Sequence, residues 1–236
     1  MTRRLICTLV MLDIVSGVTA ALRAETSPIL QRFFAIDDAS PRSYRALRHL
    51  EAENGRFDST AWMDVWTEAD VSGFRYEIVA EEGSDYIRTR VFRETLRSER
   101  AIWASGAPDR AGFTSQNYIF EDRGSRDDGL ARLTVKPRRK DILLVDGSIF
   151  LDPRDGDLIR LEGRLSKSPS FWARRVDIVR RYQRIAGVRM PIALESVASL
   201  LIAGTSTFRM TYDYETVNGQ RVGDPQPRRA TYTASR

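Results

Sequence analysis

Apolar and polar residues alternate with a period of two through most of the chain beyond residue 130. In the stretch Arg189 to Ala203, Met190, Ile192, Leu194, Ala198, Leu200 and Ile202 fall on one side of an extended backbone. In Thr205 to Val217, Phe208, Met210, Tyr212 and Tyr214 do the same, against Arg209, Asp213 and Glu215. Such alternation predicts strands with one face packed and one face wet. Further strands are predicted over Ala61 to Thr67, Phe74 to Ala80, Leu130 to Lys136, Leu158 to Glu162 and Phe171 to Ile185. Asp146-Gly147, between Asp141 to Val145 and Ser148 to Leu151, reads as a type I′ hairpin turn. Ala186-Gly187 and Asn218-Gly219 read as turns too, and Asp152 to Gly156 as a longer one. Strands joined by such short turns pair antiparallel, because parallel pairing needs a long crossover.

Two segments carry helix punctuation. Ser40-Pro41 starts one and Gly55 ends it, with Tyr44, Leu47 and Leu50 on one side. Ser84 caps the other, which runs from about Asp85 to Ser105 and stops at Gly106; its stripe of Ile87, Val91, Leu96 and Trp103 is broken. The stretch from Ala107 to Asp128 reads as a loop with an apolar island at Tyr118-Ile119-Phe120. The expected fold is mainly β (α+β): a large curved antiparallel sheet, or half-barrel, with two helices packed on its concave face. One domain is expected over 25–219, followed by a polar tail over 220–236.

That apolar strand surface is broad, and two modest helices must cover it. Either they fill it, or a cleft remains for a flexible apolar guest. The side chains expected to line such a cleft are Trp62, Trp66, Leu194, Leu200, Phe208, Met210 and Tyr212. Arg174 and Arg180 share a strand face with Val176, Ile178 and Tyr182, and are the candidates for a polar headgroup, since an inward cation needs a counter-charge.

The first two dozen residues read differently. Arg3 and Arg4 precede an apolar run from Leu5 to Leu12 and then small residues, the layout of a cleavable export signal over 1–24. Export by this route puts the mature chain in the periplasm. Cys7, the single cysteine, lies inside that segment, so a mature form beginning near Glu25 has no thiol for a disulfide, a nucleophile or a metal. The chain is 236 residues long with net charge +5, and its arginines are interleaved with Asp and Glu rather than gathered on one element. That pattern argues against a nucleic-acid module.

Catalytic chemistry has little to stand on. His49 is the single histidine, so triads built on histidine have no base beyond it, and its place in the expected first helix suggests a structural role. Asp152, Asp155 and Asp157 cluster at a turn, where turn chemistry accounts for them. Glycine-rich phosphate loops are absent from the sequence. No cofactor and no metal site is expected, and the chain is read as a non-enzyme.

The run Asp146 to Pro153, the strand end Arg160-Leu161-Glu162-Gly163, Lys167 to Trp172, Gly187 to Pro191 and Thr211 to Tyr214, in that order, resembles the outer-membrane lipoprotein-sorting proteins, the periplasmic lipoprotein carrier-like family. The resemblance covers about residues 140 to 219. It implies a half-barrel of about eleven strands closed by helices and holding acyl chains. It also implies lipid or acylated-protein cargo, membrane-bound donor and acceptor partners, and a monomer. The family's carriers gate their cavity with an arginine, and no arginine of this sequence aligns with that one; Arg45 is a guess for the role. The competing reading is a non-carrying envelope interaction or stress-sensing module on the same scaffold.

Overall fold

The computed structural model describes residues 27–36, 40–106, 111–168, 173–201 and 204–227. The expected signal at 1–24 with Cys7, the Phe171-Trp172 pair, Ile202 and the end of the tail lie outside them.

Short helix α1 (Pro28–Ala35) precedes three strands, β1 (Tyr44–Asn54), β2 (Ser59–Asp70) and β3 (Gly73–Gly83). A helical crossover follows, made of α2 (Asp85–Ile87), a π-helical stretch (Arg88–Arg93) and α3 (Glu94–Ala104). Then come β4 (Tyr118–Ser125), β5 (Ala131–Pro137), β6 (Val145–Leu151), β7 (Leu158–Leu165), β8 (Ala173–Ile185), β9 (Val188–Leu200), β10 (Gly204–Val217) and β11 (Gln220–Arg221). The strands form one open, curved antiparallel sheet in the order β3-β2-β1-β10-β9-β8-β7-β6-β5-β4, with β11 added to β10. This is the expected half-barrel with helices on its concave, inner face.

The topology explains the inner cover. Strands β3 and β4 follow one another in sequence yet form opposite edges of the sheet. The chain between them must travel across the sheet, and it does so as the helical crossover. Ile87, Phe92 and Leu96, all buried, face Leu50, Met63, Val65 and Met210 of β1, β2 and β10. Each such burial contributes about 2 kcal/mol. α1 covers the other half of the sheet, placing Ile29 and Phe33 against Leu133, Leu151, Leu158 and Ile178.

Four expectations are corrected. Residues 40–55 are no helix: Tyr44–Asn54 is β1, hydrogen-bonded on both sides, to β2 and β10. The Ser-Pro cap grammar belongs instead to Ser27 and Pro28 of α1, where the Ser27 hydroxyl accepts the Leu30 N–H at 3.3 Å. Asp146-Gly147 is no turn but the interior of β6. A Cβ on Gly147 would stand 2.1 Å from the Glu162 carbonyl oxygen and 2.5 Å from the Gly163 Cα, so the missing side chain serves close strand approach. The loop expected up to Asp128 contains β4. The polar tail starts later than residue 220, because Gln220–Arg221 is β11 and Val222 packs on the core. The turns at Ala186-Gly187 and Asn218-Gly219 are as expected, with all four residues at positive φ, between 49° and 79°.

Candidate functional site

Alternation in β1 turns Tyr44, Ala46, Arg48 and Leu50 to the inner face. Arg48 is the anomaly in this series: its residue is only 1% exposed, beneath α3. Its guanidinium donates to both carboxylate oxygens of Glu99, at 2.6 and 2.9 Å, and to the Tyr44 hydroxyl at 2.7 Å. The plane lies over the Tyr212 ring, 4.6 Å from its centroid. The Tyr44 hydroxyl in turn donates to Glu99 at 3.3 Å. Burial alone would lower the Arg48 pKa, but Glu99 outweighs it and pushes it well above its ordinary value. Burial also works to raise the Glu99 carboxyl, yet Arg48 and the hydrogen bonds of Arg48 and Tyr44 hold it below its ordinary value. The pair is therefore charged at neutral pH, and it ties the crossover to the sheet.

The crossover is built to present Glu99. Phe92, Leu96, Glu99 and Trp103 recur at helical spacing and form one stripe. Ile87 sits five residues before Phe92, a step that the π-helical stretch Arg88–Arg93 accommodates. That extra residue is what breaks the apolar stripe in the sequence. At its start the crossover is held by Glu81, which accepts from Arg88 at 2.9 Å and Arg93 at 2.7 Å.

Arg180 stands near this pair, in register with Leu161 of β7 and Leu194 of β9. Burial works against its charge, and the Tyr182 hydroxyl, with Tyr212 and Glu99, more than offsets this. Its Nε has no hydrogen-bond partner among the described residues. Leu194 packs against both apolar clusters, the one under α1 and the one under the crossover. Beside it Ile192, Ala198, Leu200 and Phe208 are only half-buried. From Leu194 to Leu200 this strip runs about 20 Å along β9.

Of the expected lining, Leu194, Leu200, Phe208, Met210 and Tyr212 share the inner face, with Met210 fully packed. Trp62 and Trp66 do not join them. They alternate with Ala61, Met63 and Val65, which take the inner positions, so both indoles stand on the outer face. There Trp62 stacks on His49 at 6.0 Å, and Arg45 covers Trp66 at 4.1 Å. His49 bridges two carboxylates, Asp64 at 2.5 Å and Glu51 at 2.8 Å. Arg45, bound to Glu68 and Glu215 on that face, has no access to the interior. Arg174 is exposed at an irregularity where β8 begins, apart from Arg180.

The turn carboxylates hold structure. Asp152 accepts from the Arg154 guanidinium and backbone N–H, which lowers its pKa to about 2. Asp157 binds Arg184 at 2.7 Å and Arg189 at 3.3 Å. Asp155 accepts the Asp157 N–H at 2.9 Å. Among the described residues no cluster of His, Cys, Asp and Glu is arranged to hold a metal ion, and no helix is long and apolar enough to cross a membrane. Two open depressions, of about 440 and 490 Å³, lie at the sheet's ends, one beside Arg42 and Asn218, the other beside Glu53, Trp62 and Glu82; neither opens on the Leu194–Leu200 strip.

Neither a family model nor a curated protein matches the chain. Among solved structures it is similar to a LolA superfamily protein from Nitrosomonas europaea, at 12% identity over 84% of this chain and 93% of that one, with a TM-score of 0.39. A putative outer membrane lipoprotein-sorting protein domain from Vibrio parahaemolyticus is similar at 12% identity over 80% and 91%, TM-score 0.41. A DUF1329 family protein from Desulfovibrio piger is similar at 11% identity over 78% and 88%, TM-score 0.33. At these identities and TM-scores no residue role carries over.

Proposed function

We propose that this chain is a periplasmic carrier of lipidated or other amphiphilic cargo that performs no chemistry on it. The observation that supports this reading is the half-buried apolar strip Leu194, Ala198, Leu200 and Phe208 on the inner face, between the two helical covers, with the Arg180 cation beside it. An acyl chain laid along the strip gains about 0.8 kcal/mol for each methylene that it removes from water. Once the crossover lifts, Arg180, whose Nε–H is buried without a hydrogen-bond partner among the described residues, becomes available to the cargo's anionic head. Met210 and Tyr212 form the floor beneath.

Admission of a full chain requires the crossover to lift. The Arg48–Glu99 pair is the contact that must open, and the arginine gate of this carrier is Arg48 rather than Arg45. Donor and acceptor are membrane-bound, the carrier is a monomer, and the mature domain begins after a signal ending near residue 24. Native mass spectrometry after gentle purification tests the reading: the expected spectrum carries adducts of lipid mass that Leu194→Asp removes. A bare mass that takes up no added lipid contradicts it.

The competing reading, an envelope interaction module without cargo, draws on the depression of about 490 Å³ flanked by Glu51, Glu53, Glu82 and Trp62. It predicts a partner crosslinked at Trp62 and a core that takes up no lipid.

A further inference from the structure

One end of the sheet differs in charge from the other. Asn54 is in register with Ser206, and Arg56 lies against Gly204, which sets the β1–β2 tip beside the β9–β10 tip. Leu200 is in register with Ala173, which brings the start of β8 alongside. The Asp141 N–H donates to the Ser166 hydroxyl at 3.0 Å, which joins the β5–β6 loop to the end of β7. The four tips thus form one continuous rim.

Large apolar side chains stand out from it: Phe57 is 59% exposed, Ile142 44% and Leu201 43%. Between them Lys140, Lys167 and Arg174 are exposed and have no carboxylate partner among the described residues. At the opposite end, Arg75, Arg154 and Arg221 are each paired with an aspartate and Arg184 and Arg189 share Asp157, which leaves exposed Arg42 as the exception. Scattered exposed apolar residues need no explanation. Apolar tips interleaved with uncompensated cations are a different case, because the two together match an anionic lipid surface, with headgroups for the cations and the interfacial layer for the side chains. Glu53, Glu82 and Asp85 make the corner where the β1–β2 tip meets the end of β3 acidic, so the matching face is centred on the tips from β5 to β10.

We propose that this rim docks the protein reversibly on an anionic membrane surface, with Ile142 and Leu201 entering the interface and Lys140, Lys167 and Arg174 contacting lipid phosphates. The surface serves the carrier reading by bringing the inner strip to a bilayer, but its argument is independent of cargo.

Flotation of the purified chain with phosphatidylglycerol–phosphatidylcholine vesicles, against pure phosphatidylcholine vesicles, tests it. Binding is expected to the anionic vesicles, to weaken with salt, and to fall on the order of a hundredfold in the triple variant Lys140→Gln, Lys167→Gln, Arg174→Gln. The double variant Ile142→Ser, Leu201→Ser is also expected to bind more weakly, while Val71→Ser, on a tip at the opposite end, binds as the parent does. Circular dichroism confirms that each variant is folded. No flotation, equal flotation with neutral vesicles, or flotation unchanged by the rim variants overturns the proposal. Lipid adducts in native mass spectra of a chain that stays off vesicles remove the rim proposal and leave the carrier reading standing.

Discussion

Arg48 of β1 grips Glu99 of α3 through two guanidinium nitrogens, at 2.6 and 2.9 Å, and this pair joins the sheet to the segment that crosses it. Arg48 is fully buried, and the Glu99 side chain keeps 26% of its exposure. Removing one partner therefore strands a charge beneath α3, whereas removing both does not. Glu99→Gln is expected to lower unfolding free energy by about 3 kcal/mol. The double variant Arg48→Met, Glu99→Leu is expected to regain most of that loss. Urea denaturation of Glu99→Gln and the double variant measures both.

The same pair sets an acid limit. The Glu99 carboxyl is held below its ordinary value in the folded protein, so its contribution is complete above the pKa of the unfolded chain and fades as pH falls through the folded value. Protection of the amides of residues 94–104 against hydrogen exchange, taken relative to the intrinsic rate at each pH, is expected to be high at neutral pH and to fall below about pH 4. In Glu99→Gln that acid step is expected to vanish, leaving protection lower than the parent's at neutral pH and equal to it in acid.

Close strand approach makes a separate prediction. Gly147 and Gly163 face each other across β6 and β7, and a Cβ on either meets backbone closer than 3.0 Å. Gly147→Val is expected to cost about 3 kcal/mol and to shift the denaturation midpoint without changing its slope. Gly163→Val is expected to cost a similar amount, because its Cβ would meet the Asp146 carbonyl oxygen and the Gly147 Cα.

The proposed carrier function predicts different effects of substitution on the two faces of the sheet. Leu194→Asp and Phe208→Asp place a carboxylate in the half-buried strip and are expected to abolish uptake of a fluorescent fatty acid. Trp62→Ala and Trp66→Ala change the outer face and are expected to leave its affinity within about twofold, because they sit across the sheet from the strip. Fluorescence titration of the four folded variants distinguishes them.

The last long strands are legible because β9 and β10 each present a period of two, punctuated by Ala186-Gly187 and Asn218-Gly219. β1 is not legible for a physical reason. Its inward series reads Tyr44, Ala46, Arg48, Leu50, and the buried arginine interrupts the apolar alternation. Leu47, buried on the other side, then completes a helix-like spacing with Tyr44 and Leu50. The residue that hides the strand is the one that holds the cover. Glu99 is likewise hidden, since a carboxylate on an inward helical stripe looks like a break in amphipathicity until its partner is known. Alternation places Trp62 and Trp66 on a strand but not on a face, because Met63 and Val65, equally apolar, compete for the interior and take it. The half-buried state of the Leu194–Leu200 strip depends on where the crossover ends, which no local pattern encodes.

Photocrosslinking with a diazirine-bearing fatty acid, followed by peptide mapping, tests the inner-face site most directly. Label is expected in the peptides that contain Leu194 to Leu200 and Phe208 to Tyr212, with competition by unlabelled fatty acid. Label confined to the strand that carries Trp62 and Trp66, or no label that unlabelled fatty acid displaces, contradicts the account.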